Sequence, residues 1–142
     1  MIAAMKPLLF LLGVFLLSSC SQEIGEIRVL IKDGITYHQE SNEPVTGIVE
    51  SFYPTGQLRT RTAYENGKKE GLDELFHQNG QLSLRVNREN GLKEGLYEGF
   101  YRNGQLSYRW HFKVGAPDGV WETFDEDGKL MKTQTFKDVV PQ

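Results

Sequence analysis

The sequence predicts an all-β fold in which tandem 24-residue β-hairpin repeats form an elongated, twisted antiparallel sheet. Three observations predict it. Glycines recur at a 24-residue interval in three columns: Gly47, Gly71, Gly95 and Gly119; Gly56, Gly80, Gly104 and Gly128; and Gly67, Gly91 and Gly115. Leu58, Leu82, Leu106 and Leu130 keep the same period, as do Phe52, Phe76, Phe100 and Phe124, and Glu50, Glu74, Glu98 and Glu122. The residues between the glycines are rich in β-branched and aromatic types, which favour strands. A fixed period of this length marks a repeat architecture in which each unit buries its neighbour.

The elements follow in order. Lys6 precedes an apolar run, PLLFLLGVFLLSSC, over residues 7 to 20. A weak basic start, a short apolar core and small residues after it read as an export signal over residues 1–19. The run is too short for a comfortable membrane-spanning helix. It ends on Cys20, the single cysteine of the chain, so no disulfide can form within a monomer. Leu17-Ser18-Ser19-Cys20 resembles the bacterial lipobox. That resemblance implies cleavage before Cys20, lipidation of its sulfur with acylation of the new amino terminus, and a membrane partner held through that lipid. Several acyl chains anchor stably where one is marginal. Residues 20–27 then read as a lipidated tether. Residues 28–46 read as a degenerate capping repeat, with strand alternation around Lys32-Asp33-Gly34. Four full hairpin repeats occupy 47–136, and 137–142 form a tail ending in Pro141-Gln142. If all strands pair in sequence, there are about ten, and at about 4.8 Å each they make a body roughly 45 Å long.

Each unit reads as strand, tight turn, strand, looser turn. The tight turns are expected at Asn79-Gly80, Asn103-Gly104 and Asp127-Gly128, because such pairs suit the two-residue type I′ hairpin with positive φ at both positions. Thr55-Gly56, after Pro54, matches less well and is expected to turn differently. With Asn79-Gly80 at a tip, Glu74 lies opposite Arg85. The same arithmetic sets Glu98 against Arg109, Glu50 against Arg61 and Glu122 against Thr133. The acidic column therefore reads as cross-strand ion pairing rather than as a catalytic or calcium-binding row. Simple alternation places the Phe column and the Glu–Arg pairs on one side. It places the Leu column with Tyr53, Tyr64, Leu75, Leu84, Val86, Tyr97, Tyr101, Tyr108, Trp110, Phe112, Trp121 and Phe136 on the other, which is expected to be the more buried.

A formal charge of −3 and no basic patch argue against nucleic acid as a partner. No zinc spacing, phosphate loop or nucleophile elbow is present. His38, His77 and His111 fall at unrelated repeat positions and read as surface or edge residues. No catalytic residue, metal or cofactor is expected, and the chain reads as not an enzyme. The candidate binding surface is the aromatic set of the third and fourth units, Tyr97, Tyr101, Tyr108, Trp110 and Trp121. Such side chains are frequent at interfaces. Packing of a thin sheet is the competing account of them.

The phrases FYPTGQLRTRTAYENGKKEG, LFHQNGQLSLRVNRENGLKEG, GFYRNGQLSYRWHFKVGAPDG and TFDEDGKLMKTQTF resemble the bacterial variant of the MORN repeat. Trp121 and Tyr97 match its closing aromatic. Asp73 departs from that place, and His77 and Asp125 stand where a tyrosine is usual. The resemblance covers roughly residues 30 to 136. It implies a non-catalytic module for protein–protein contact or scaffolding, with the partner a protein or a second copy. With the lipobox it implies a lipid-anchored protein of the bacterial envelope, the outer membrane being favoured because Ser21-Gln22 lacks an inner-membrane retention aspartate. Two other readings stay open: a glycan- or peptidoglycan-binding module, and an immunity role such as that ascribed to YwqK-type antitoxins.

Overall fold

The computed structural model describes residues 28–136, which are all strand and turn. The expected export signal, the tether with Cys20 and the C-terminal tail lie outside the described residues. Ten strands run in chain order: β1 (Val29–Lys32), β2 (Ile35–His38), β3 (Gly47–Phe52), β4 (Leu58–Glu65), β5 (Lys68–Phe76), β6 (Leu82–Glu89), β7 (Leu92–Phe100), β8 (Leu106–Lys113), β9 (Ala116–Phe124) and β10 (Leu130–Phe136). They do not form one sheet. β3 to β10 make an eight-stranded antiparallel sheet in strict sequence order, and β1–β2 is a separate hairpin. The main sheet is therefore about 38 Å across, shorter than ten strands would give.

The cap stays outside the sheet, and its chain turns at Asn42, which has a φ of 56°. It docks on the first turn between units instead. The Thr36 amide donates to the Gly67 carbonyl at 2.8 Å, and the Gly67 amide donates to the Val45 carbonyl at 2.7 Å. Val45, 1% exposed, is buried by this arrangement.

The two turn types are exchanged relative to expectation. Asn79, Asn103 and Asp127 do not have positive φ. The two-residue turns with positive φ at both positions are Asn66-Gly67, Asn90-Gly91 and Val114-Gly115, between units, and Asp33-Gly34 in the cap. Within units the loop has three residues. The His77 amide donates to the Gln81 carbonyl and the Gly80 amide to the His77 carbonyl, with Gly80 at a φ of 83°. This is the three-residue hairpin closed by a left-handed glycine. All four units use it, Pro54-Thr55-Gly56 included.

The predicted register nevertheless holds: Glu50↔Arg61, Glu74↔Arg85, Glu98↔Arg109 and Glu122↔Thr133. The longer loop moves the pairing by one residue, and a one-residue bulge at Arg59, Ser83, Ser107 or Met131 moves it back. The bulge has a second effect. Below it, Phe52 pairs with Leu58, Phe76 with Leu82, Phe100 with Leu106 and Phe124 with Leu130. Directly opposed residues share a face. The Leu column thus lies on the Phe and Glu–Arg side, not on the aromatic side.

Val114 is the one β-branched residue among these left-handed positions, at a φ of 49°. A left-handed conformation costs an ordinary residue about 1–2 kcal/mol, and asparagine tolerates it better. Val114→Asn is expected to raise stability by about 1 kcal/mol, read as a higher midpoint in thermal unfolding. An unchanged or lower midpoint would show that the turn is not strained.

Candidate functional site

The main sheet is a single layer with two different faces. One face carries most of the predicted binding residues. Tyr97 pairs with Trp110 across β7–β8, and Tyr108 stands opposite Gly99. Their rings stack in a row: Tyr108 on Trp110 at 4.4 Å between centroids, Trp110 on Trp121 at 4.6 Å, and Tyr97 on Trp110 at 5.6 Å. Phe112 and Phe136 complete the cluster against Trp121. A Cβ at Gly99 would overlap the Tyr108 ring, so this glycine makes room for the aromatic residue beside it. The Lys93 ammonium lies 4.2 Å from the Tyr97 centroid and 4.5 Å from that of Phe112. Burial, and then the nearby Arg88 charge, lower the Lys93 pKa from its ordinary value. Burial also raises the Tyr108 pKa, with Tyr97 adding to the effect. The Trp121 indole N–H donates to the His111 carbonyl at 2.9 Å. Because the rings stack on one another, each covers part of its neighbour's surface.

The same face is polar in the second unit. Asp73 accepts from Thr62 Oγ1 at 2.8 Å, Lys69 Nζ at 2.8 Å and Arg88 Nε at 3.2 Å. Asp73 and Thr62 are buried on this face together with Val86 and Phe112, while Glu74 is buried on the other, which also holds the Leu column. The departure at Asp73 thus has a structural reason: the position that holds Tyr97 in the aromatic stack holds the acceptor of an ion network here.

Tyr101 does not join the aromatic row. Its hydroxyl donates to the Phe124 carbonyl of the next hairpin at 2.8 Å. Tyr53 makes the equivalent bond to Phe76 at 2.7 Å, and His77 Nε2 lies 2.9 Å from the Phe100 carbonyl. These side chains are struts between hairpin tips. His77 takes the tyrosine's place in that role rather than being a free surface residue. The tip asparagines add a second strut, Asn79 Nδ2 to the Arg102 carbonyl and Asn103 Nδ2 to the Glu126 carbonyl. Asp125 occupies the strut position of the last unit and instead accepts from the Asp127 and Lys129 amides of its own turn. Tyr101→Phe is expected to cost about 1 kcal/mol, with amide protection lost first in β9 and β10. Uniform loss over the sheet would contradict the strut.

The second face was less visible in the sequence. Its glutamates and arginines form a continuous ladder, because each arginine also faces the next unit: Arg61↔Glu74, Arg85↔Glu98 and Arg109↔Glu122. Glu50 and Arg61 lie 2.8 Å apart, Glu74 and Arg85 3.2 Å, and Glu98 and Arg109 3.0 Å. On the side of the ladder away from the Phe–Leu pairs runs a row missed in the sequence. Ile48, Leu72, Leu96 and Val120 follow the glycines of the first column and are 62%, 49%, 42% and 46% exposed. Their 24-residue spacing is the signal that could have found them.

His38 and His111 lie apart from His77, and among the described residues no group of His, Cys, Asp and Glu could hold a metal ion. The ladder carboxylates face arginines and do not converge on a site.

Three segments match the MORN repeat variant, residues 45–66, 93–113 and 117–138. They correspond to the first, third and fourth hairpins, and the unmatched second hairpin is the one that carries Asp73 and His77. No curated protein matches the chain. A structure of a mutant S. aureus TarM in complex with fondaparinux, alpha-GlcNAc-glycerol and UDP shares 13% identity, with a TM-score of 0.42 over 82% of this chain and 21% of that one. At that score the likeness bears on neither fold nor function. The chain is thus a tandem array of hairpins with one shared turn geometry, three of which are similar to the MORN repeat variant.

Proposed function

We propose that this chain is a non-catalytic, lipid-anchored repeat module that mediates protein–protein interaction or scaffolding in the bacterial envelope. The observation that carries this reading is that, among the described residues, no second layer covers the main sheet. Domains ordinarily bury a sheet's apolar face under another layer, yet here an aliphatic row stays about half exposed or more along the whole sheet. Exposed apolar rows rimmed by charge mark interaction surfaces. The aromatic cluster supports a protein partner over a glycan. Sugars stack on open ring faces, and these rings stack on one another instead. Anchoring rests on the Leu17–Cys20 segment and would hold the sheet at a membrane surface.

The test uses the whole chain expressed in a bacterial host, with a metabolic lipid probe and envelope crosslinking. Wild type is expected to take the label and to give crosslinks from sheet-face positions. Cys20→Ser is expected to lose the label and leave the membrane fraction. An unlabelled wild type would remove the anchor. Crosslinks confined to turns and termini would remove the sheet face as the interaction surface.

A further inference from the structure

We infer that the ladder face is covered by a second copy of this chain, packed face to face about a two-fold axis that runs parallel to the strands between β6 and β7. The inference rests on the interaction-module reading and names its partner. It follows from three features together.

The first is the parity of the sheet. Eight strands place the midline between β6 and β7. A two-fold axis there lays β6 over β7 of the second copy, β5 over β8 and β4 over β9. Ladder residues alternate in charge from strand to strand. With an even strand number, full overlap therefore brings a glutamate against an arginine at every rung from β4 to β9, and Glu50 against Thr133 at the two edges. Arg85 meets Glu98 of the second copy and Glu74 meets Arg109. An odd number of strands would have set like charges together. A partner of uniform charge would instead meet attraction and repulsion on alternate strands.

The second is the state of the arginines. Arg85 and Arg109 use Nε on a glutamate of their own chain, while 46% and 45% of their side chains remain exposed. A guanidinium has five N–H donors, so its outer nitrogens can take a carboxylate from the facing layer as well.

The third is shape and size. The same two-fold axis lays the aliphatic row, carried on β3, β5, β7 and β9, over β10, β8, β6 and β4 of the second copy, so aliphatic side chains of one copy fall between those of the other rather than on them. A face of about 38 Å by 20 Å presents roughly 750 Å², close to the roughly 800 Å² each partner contributes to a standard interface. Twisted sheets pack with strands rotated by about 30°, which inclines the axis by about half that angle to the strands of each copy, so the rungs beside the axis, Arg85 and Glu98, carry the closest contact.

The experiment is sedimentation equilibrium of the full chain in density-matched detergent. Wild type is expected to be a dimer. Arg85→Glu sets two carboxylates together across the axis, and Glu98→Arg sets two guanidinium groups together. Each variant alone is expected to be monomeric while its circular dichroism still reports the sheet. Mixed, the two variants restore both cross-axis pairs and are expected to form a heterodimer. Damage within one chain could not be repaired in this way. A monomeric wild type, variants that still dimerise, or folded variants that fail to pair when mixed would overturn the inference. A wild type that is monomeric yet crosslinks through this face to a different envelope protein would overturn self-pairing and leave the interaction module standing.

Discussion

Replacing Gly67 by alanine is expected to release the N-terminal cap and to lower stability by about 2–4 kcal/mol. Gly67 has a φ of 78°, which by itself penalises any side chain. A Cβ there would also overlap the Ile35 side chain and come within 2.7 Å of the Thr36 carbonyl. That carbonyl accepts from Val45 at 2.9 Å, and Gly67 itself bonds both to Thr36 and to Val45. The substitution therefore strains the turn and disrupts three hydrogen bonds around the buried Val45. Gly91 is the internal control. It has the same turn and a φ of 84°, and a Cβ there meets nothing within 4 Å. Gly91→Ala is expected to cost only the conformational penalty, about 1 kcal/mol. Denaturant unfolding gives the two values, and amide exchange at Thr36 reports the cap. Equal costs at the two glycines would show that the cap adds nothing at Gly67.

Asp73→Ala is expected to cost about 2–4 kcal/mol. Removing one member of a buried ion pair typically costs 3–5 kcal/mol, because the partner charge stays behind without compensation. Here three donors lose their acceptor: Thr62 Oγ1, Lys69 Nζ and Arg88 Nε. The Lys69 side chain is 37% exposed and can turn to water, which reduces the cost below the fully buried case. Arg88 cannot do so as easily, since its Nη1 also donates to the Gly91 carbonyl. Asp73→Asn keeps an acceptor for Thr62 and is expected to cost less than Asp73→Ala. The midpoint of chemical unfolding decides it. A loss below about 0.5 kcal/mol, the usual range for surface changes, would show that the network is dispensable.

The period, the strand count and the ladder register were readable because they depend on spacing alone. The turn types were not. Asn79 was read as a left-handed residue, yet its side chain accepts from the Gln81 amide and donates to the Arg102 carbonyl. Asparagine serves a strut as well as it serves positive φ, and the letter does not distinguish the two. The face of the Leu column was misplaced because alternation by two assumes a strand without bulges, and Ser83 or its equivalent interrupts each unit. Four of the five predicted binding residues do assemble, since Tyr97, Tyr108, Trp110 and Trp121 lie on paired strands and alternate correctly. Tyr101 falls in the turn, where alternation does not apply. The aliphatic row escaped notice because Ile48, Leu72, Leu96 and Val120 differ in identity and share only their place after a glycine.

Strand order that follows chain order also determines how the sheet answers force. Its first and last strands, β3 and β10, are the two edges, so tension applied through the chain ends acts across the strands. Hydrogen bonds loaded in that direction open one after another, like a zipper, rather than sharing the load as they do in shear. Each 24-residue unit that opens would release roughly 80 Å of chain. A sheet pulled between its two ends would thus yield in equal steps at low tension, lengthening by one unit at a time.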